Sequence, residues 1–178
     1  YKVGLWTPVE VTILGSGTTS VTGQLELTVA DGDGTRSRVV STPKQLFPGQ
    51  RTSILMYAKF GDVYGEMNAK FIVEGRKVID RTFDNDEGID KLAMPIGLPT
   101  GDTLLVTVGG NLGIERDQTG PSYGVARTHV ARVDDVNQLP LQWFGYEGVD
   151  ALVLFTSRSE LYSRLVDGSA QVVAIDEW

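Results

Sequence analysis

The chain has 178 residues, 41% hydrophobic and 22% charged, with a net charge of −7 and no cysteine. Such a chain is ordinary for a globular protein and long enough for one large domain, or one domain and part of another. The acidic balance disfavours general nucleic-acid binding, and the absence of thiols excludes disulfides, cysteine-ligated zinc, iron–sulfur clusters and thiol nucleophiles.

Residues 8–14, PVEVTIL, set Val9, Val11 and Ile13 on one face and Glu10 and Thr12 on the other, the period of a half-buried strand. Trp6 stands just before it as a core or edge aromatic. Residues 21–30 repeat the alternation, with Leu25, Leu27 and Val29 inward and Gln24, Glu26 and Thr28 outward. Asp31-Gly32-Asp33-Gly34 then carries strong turn chemistry. Further strands are predicted at 36–41, 52–60, 66–74 and 77–83. In these, Ile54, Met56, Ala58 and Phe60 share a face, as do Met67, Ala69, Phe71 and Val73. Strands of this length and spacing indicate an antiparallel β-sandwich over residues 1–98.

The pattern changes after residue 98. Residues 103–108, TLLVTV, are nearly all apolar and run into Gly109-Gly110; another strand is expected at 128–136. Residues 151–155, ALVLF, are apolar throughout, which suits a strand buried on both faces of a parallel sheet. Ser157 and Glu160 have the spacing of a capping box, predicting a helix with Leu161 and Leu165 on one face and a stop at Asp167-Gly168. Ser169 is the expected cap of a second helix carrying Val172, Val173 and Trp178; the competing reading makes 171–175 a strand. Residues 99–178 therefore read as an incomplete α/β unit. The start at Tyr1 without Met, and the end at Trp178 in what reads as a helix, predict that both ends are cut.

The stretch LPLQWFGYEGVDALVL, residues 139–154, resembles the entry into the glutamine-amidotransferase-like, flavodoxin-like domain of bacterial exported or membrane-anchored proteins of unknown function. In those proteins an immunoglobulin-like region precedes the α/β domain, and WTPVEVTIL followed by GQLELTVADGDG looks like that region. The resemblance implies an immunoglobulin-like sandwich, then a flavodoxin-like unit truncated at its C-terminus, in a periplasmic or envelope-associated protein. Many members lack an amidotransferase triad, so it implies a place in the envelope more than a reaction.

No catalytic residue and no cofactor emerge. A glutaminase of this class needs a cysteine thiolate activated by a histidine; the one histidine, His129, lies in an expected strand and reads as a surface or packing residue. Asp31 and Asp33, and the cluster Asp84, Asp86, Glu87 and Asp90, offer oxygen ligands for calcium, but a plain turn and a solvated loop account for them. Residues 109–113 lack the Lys-Ser/Thr ending of a phosphate loop. Trp143, Phe144 and Tyr146 can line a sugar-binding or interface face, or seal the seam between layers. The expectation is a non-catalytic extracytoplasmic module for binding or scaffolding. Its partner would be another protein or the rest of the same polypeptide, and the fragment is expected to self-associate. No nucleic acid partner and no membrane span are expected, since no run approaches the roughly 18 apolar residues of a spanning helix. Two rivals stand: an amidotransferase-like protein with its site beyond residue 178, and a carbohydrate-binding sandwich.

Overall fold

The structure, a computed structural model, describes residues 1–85, 91–113 and 126–178. It is mainly β and divides into two compact units, Tyr1–Leu98 and Pro99–Trp178.

In the first unit, β1 (Trp6–Leu14) pairs antiparallel with β5 (Arg51–Lys59). A second sheet joins β2 (Val21–Ala30), β3 (Arg36–Val40), β6 (Met67–Val73), β7 (Arg76–Asp84) and β8 (Lys91–Ala93) in the order β3-β2-β6-β7-β8, and β4 (Lys44–Leu46) pairs with the start of β2. The alternating residues of both sheets meet in one core. Leu25, Leu27 and Val29 of β2 and Met67, Ala69 and Phe71 of β6 pack with Ile54, Met56 and Ala58 of β5 and with Phe60. The result is a β-sandwich-like unit. Burial of each large apolar side chain is worth about 1.5–3 kcal/mol, so this alternation is the main stabilising term. Trp6 opens β1 half-buried.

Glu26, expected in solvent, is 8% exposed. It does lie on the outer face of β2, but Arg38 from β3 covers it with an ion pair of 2.6 Å. The β6–β7 hairpin turns on Glu74 and Gly75, at φ 49° and 73°, because Val73 pairs directly with Arg76. A two-residue hairpin with both φ positive is the type I′ geometry that matches strand twist.

In the second unit, β9 (Thr103–Val108) lies between β10 (Thr128–Val133) and β11 (Ala151–Leu154), parallel to both. Val108 packs with Val136 and Leu139 under Leu152, Tyr162, Leu165 and Ile175. β11 has a strand neighbour on one side only among the described residues, and on its face Leu154 is 43% exposed. The expectation that ALVLF is buried on both faces therefore does not hold.

The capping-box helix does not form either. A 3₁₀ segment, Ser159–Arg164, stands there with no side-chain cap, and the Glu160 carboxylate lies 3.4 Å from Arg158 instead. In 3₁₀ geometry residues three apart share a face. Tyr162 and Leu165 thus replace Leu161 and Leu165 as the pair on the core. The final helix, α1 (Ala170–Glu177), follows Ser169 at its cap position, so the strand alternative for 171–175 is excluded. The Ser169 hydroxyl makes no cap hydrogen bond.

Candidate functional site

In the parallel sheet, the strand order β10-β9-β11 means that the chain leaves β9 to one side and returns on the other. The crevice beyond the carboxyl ends at such a switch point is where open α/β sheets place their ligands. Among the described residues, side chains of the segment after β11 pack onto these strand ends. The Tyr162 hydroxyl lies 2.9 Å from the Val108 carbonyl oxygen and 3.0 Å from that of Phe155, tying together the ends of β9 and β11. A Cβ placed on Gly110 would lie 2.3 Å from the Phe155 ring, and one on Gly109 would lie 2.8 Å from Leu161 Cδ1. Two of the amides at these strand ends are engaged. Gly109 N–H donates to Val133 O (3.2 Å) and Phe155 N–H to Val108 O (3.1 Å). In the loop beyond, Asn111 Oδ1 accepts from Gly113 N–H, an ordinary Asx turn.

His129 stands at the opposite, amino-terminal end of these strands, where Thr128 pairs with Thr103. Its Nε2 lies 2.8 Å from Asp102 Oδ2, and Asp102 Oδ1 accepts from Arg127 N–H at 3.2 Å. Desolvation opposes ionisation of Asp102, but the hydrogen bonds from His129 and from the Arg127 amide outweigh it and hold the carboxyl below its usual range. A His–Asp pair can orient a general base; this one bridges the entries of β9 and β10. Sequence reading named His129 and missed Asp102. Only the parallel register sets His129 beside Leu104, two residues beyond Asp102.

The aromatic residues divide. Trp143–Tyr146 form a 3₁₀ turn against which α1 packs. Tyr146 is 1% exposed, donates to Pro140 O at 3.3 Å, and stacks on Trp178 with ring centroids 5.4 Å apart. Phe144 is half-buried and meets Trp143 edge-on at 5.9 Å. Only Trp143 of the three faces solvent substantially, so they do not make a flat sugar-stacking surface.

The acidic loops are occupied with local bonding. Asp31 Oδ1 accepts from Gly32 N–H and Asp33 Oδ1 from Thr35 N–H, both at 2.8 Å. The Thr35 backbone and side-chain bonds hold Asp33 below its usual carboxylate range. Asp84 accepts from Asn85 N–H; Asp86, Glu87 and Asp90 lie outside the described residues. Among the described residues, no cluster of three or more His, Asp or Glu side chains has metal-holding geometry.

A concave feature absent from the sequence reading lies at one end of the sandwich. It is a cleft of about 240 Å³ lined by Leu14, Val21, Leu46, Pro48, Val73 and Val78, with Ser16 and Thr19 as polar members. Leu14 and Val78 are 59% and 56% exposed.

No family model matches the chain, and no curated protein matches it. Among solved structures, the chain is similar to a calcium-binding mutant of Bacteroides uniformis beta-glucuronidase 2. The identity is 10% and the TM-score 0.40, over 47% of this chain and 12% of that one. A likeness at that level assigns neither fold nor activity.

Proposed function

We propose that the chain is a non-catalytic, extracytoplasmic module for binding or scaffolding in a larger bacterial envelope polypeptide, an immunoglobulin-like sandwich followed by a flavodoxin-like unit. The observation that carries this is the packing at the carboxyl ends of β9 and β11, where Tyr162, Phe155 and Leu161 lie against Val108, Gly109 and Gly110. The strand order β10-β9-β11, second-first-third, supports the flavodoxin-like assignment. The amidotransferase alternative gains nothing from His129, which is at the far end of the sheet from those strand ends. The sugar-binding alternative is weakened by the burial of Tyr146.

Protein contacts fit the exposed apolar side chains of the second unit, Leu154, Val166, Val173 and Trp178. Covering a few hundred Å² of such surface is worth roughly several kcal/mol before association costs. The occupant would be another part of the same polypeptide, a partner, or a second copy of the chain.

The test is a titration of the labelled chain with glutamine, simple amides and nucleotides, followed by amide resonances. Val108, Gly109, Gly110 and Phe155 should stay unshifted. Saturable shifts confined to those residues would overturn the proposal.

A further inference from the structure

We infer that the cleft at the end of the sandwich docks an acidic polypeptide segment that inserts one bulky apolar side chain. The inference rests on reading the chain as a binding module and names the surface and the chemistry of its partner.

Three observations carry it. The first is size. At about 240 Å³ the cleft falls below the roughly 300–1,000 Å³ of small-molecule sites. It suits one side chain better than a whole ligand. The second is composition. The walls come from both sheets and are mostly aliphatic, and Leu14 and Val78 of the lining are more than half exposed, giving apolar surface for a partner to cover.

The third is charge. Arg51 is the cross-strand partner of Leu14 and Arg76 that of Val73, both cleft residues. Lys44 pairs with Gly23 on the strand that begins at Val21. Lys77 beside them is ion-paired with Asp80 at 2.6 Å, so the basic character of this end comes from Lys44, Arg51 and Arg76, against Glu74. The opposite end of the same sandwich carries Asp31, Asp33, Asp62 and Glu66. In a chain of net charge −7, the apolar cleft thus lies at the basic end. An apolar anchor flanked by carboxylates satisfies both features: the anchor supplies the buried contact, and the charges steer and orient it.

The probe is the acetylated peptide amide Asp-Glu-Asp-Phe-Asp-Glu-Asp, titrated into the whole chain by calorimetry at low salt. Binding should weaken as salt rises. A peptide with Ser for Phe, and one with Lys for every acid, should each bind at least about tenfold more weakly. Val78→Glu should weaken the Phe peptide by at least about tenfold, and so should Leu14→Asp, a second surface change in case the first disturbs folding. Val40→Glu should leave binding unchanged; Val40 pairs with Glu26 on the outer face of the β3–β2 pair and does not line the cleft. No binding at millimolar peptide, equal binding of all three peptides, or indifference to both cleft variants overturns the assignment, while leaving the non-catalytic reading untouched. Dimerisation of the chain alone, abolished by Val78→Glu, would hand the cleft to a second copy instead.

Discussion

The Tyr162 hydroxyl sits 2.9 Å from the Val108 carbonyl oxygen, so a side chain from the segment after β11 closes the end of β9. One phenol proton serves two carbonyls, those of Val108 and Phe155; removing it takes this donor from Phe155 O, while Val108 O keeps the Phe155 N–H. Tyr162→Phe should therefore destabilise by about 0.5–1.5 kcal/mol. Tyr162→Ala, which also removes a ring packed against the cluster of Val108, Val136 and Leu139, should cost more. Urea unfolding of both variants checks the order; an unchanged midpoint for the Phe variant would mean that the hydroxyl is not holding the strand ends.

Gly110 lies directly under the Phe155 ring. Its added Cβ would be 2.3 Å from ring carbon Cγ, so Gly110→Ala should cost roughly 1–3 kcal/mol through overpacking. In a Phe155→Ala background the same change should cost much less. That coupling is what a double-mutant cycle measures. Additive effects would deny the contact.

Much of the sandwich was legible because its core follows a period of two. Ile54, Met56, Ala58 and Phe60 were assigned to one face, and all four are buried. Strands of three residues, Lys44–Leu46 and Lys91–Ala93, are too short to carry a period and were not seen. The second unit was harder. The inward turn of Tyr146 depends on its stacking against Trp178, a contact no local pattern encodes. Ser157 and Glu160 have capping-box spacing, yet docking Tyr162 on the ends of two strands drew the segment into a 3₁₀ turn. The apolar cleft was invisible because it is assembled from β1, β2, β4, β6 and β7 together.

Glu74 occupies a position with φ 49° in a type I′ turn, where a residue tolerant of the left-handed region fits better. Glu74→Asn should stabilise by roughly 0.5–1 kcal/mol. Thermal unfolding reads the gain. A loss would show that the Glu74 side chain makes a contribution larger than its backbone strain.

Asp102 gives the fold a defined acid sensitivity. Its folded-state ionisation is held below the usual aspartate range. The bonds it makes as a carboxylate therefore contribute fully above the ordinary aspartate pKa of about 3.9, and their contribution is lost as pH falls through the lower folded value. Asp102→Asn should be less stable than the parent at pH 6, and the gap should narrow as pH drops from about 4 toward 2. Denaturation curves across that range test it. A gap that widens on acidification would reverse the assigned sign.

The most direct test of the central claim is a turnover assay. The purified chain would be incubated with glutamine, simple esters and aryl glycosides, alongside His129→Ala and Tyr162→Ala. The expected result is release at the rate of buffer alone for the parent and both variants. A saturable, protein-dependent rate in the parent that His129→Ala abolishes would contradict the claim, and would make the His129–Asp102 pair a catalytic element rather than a bridge between β9 and β10.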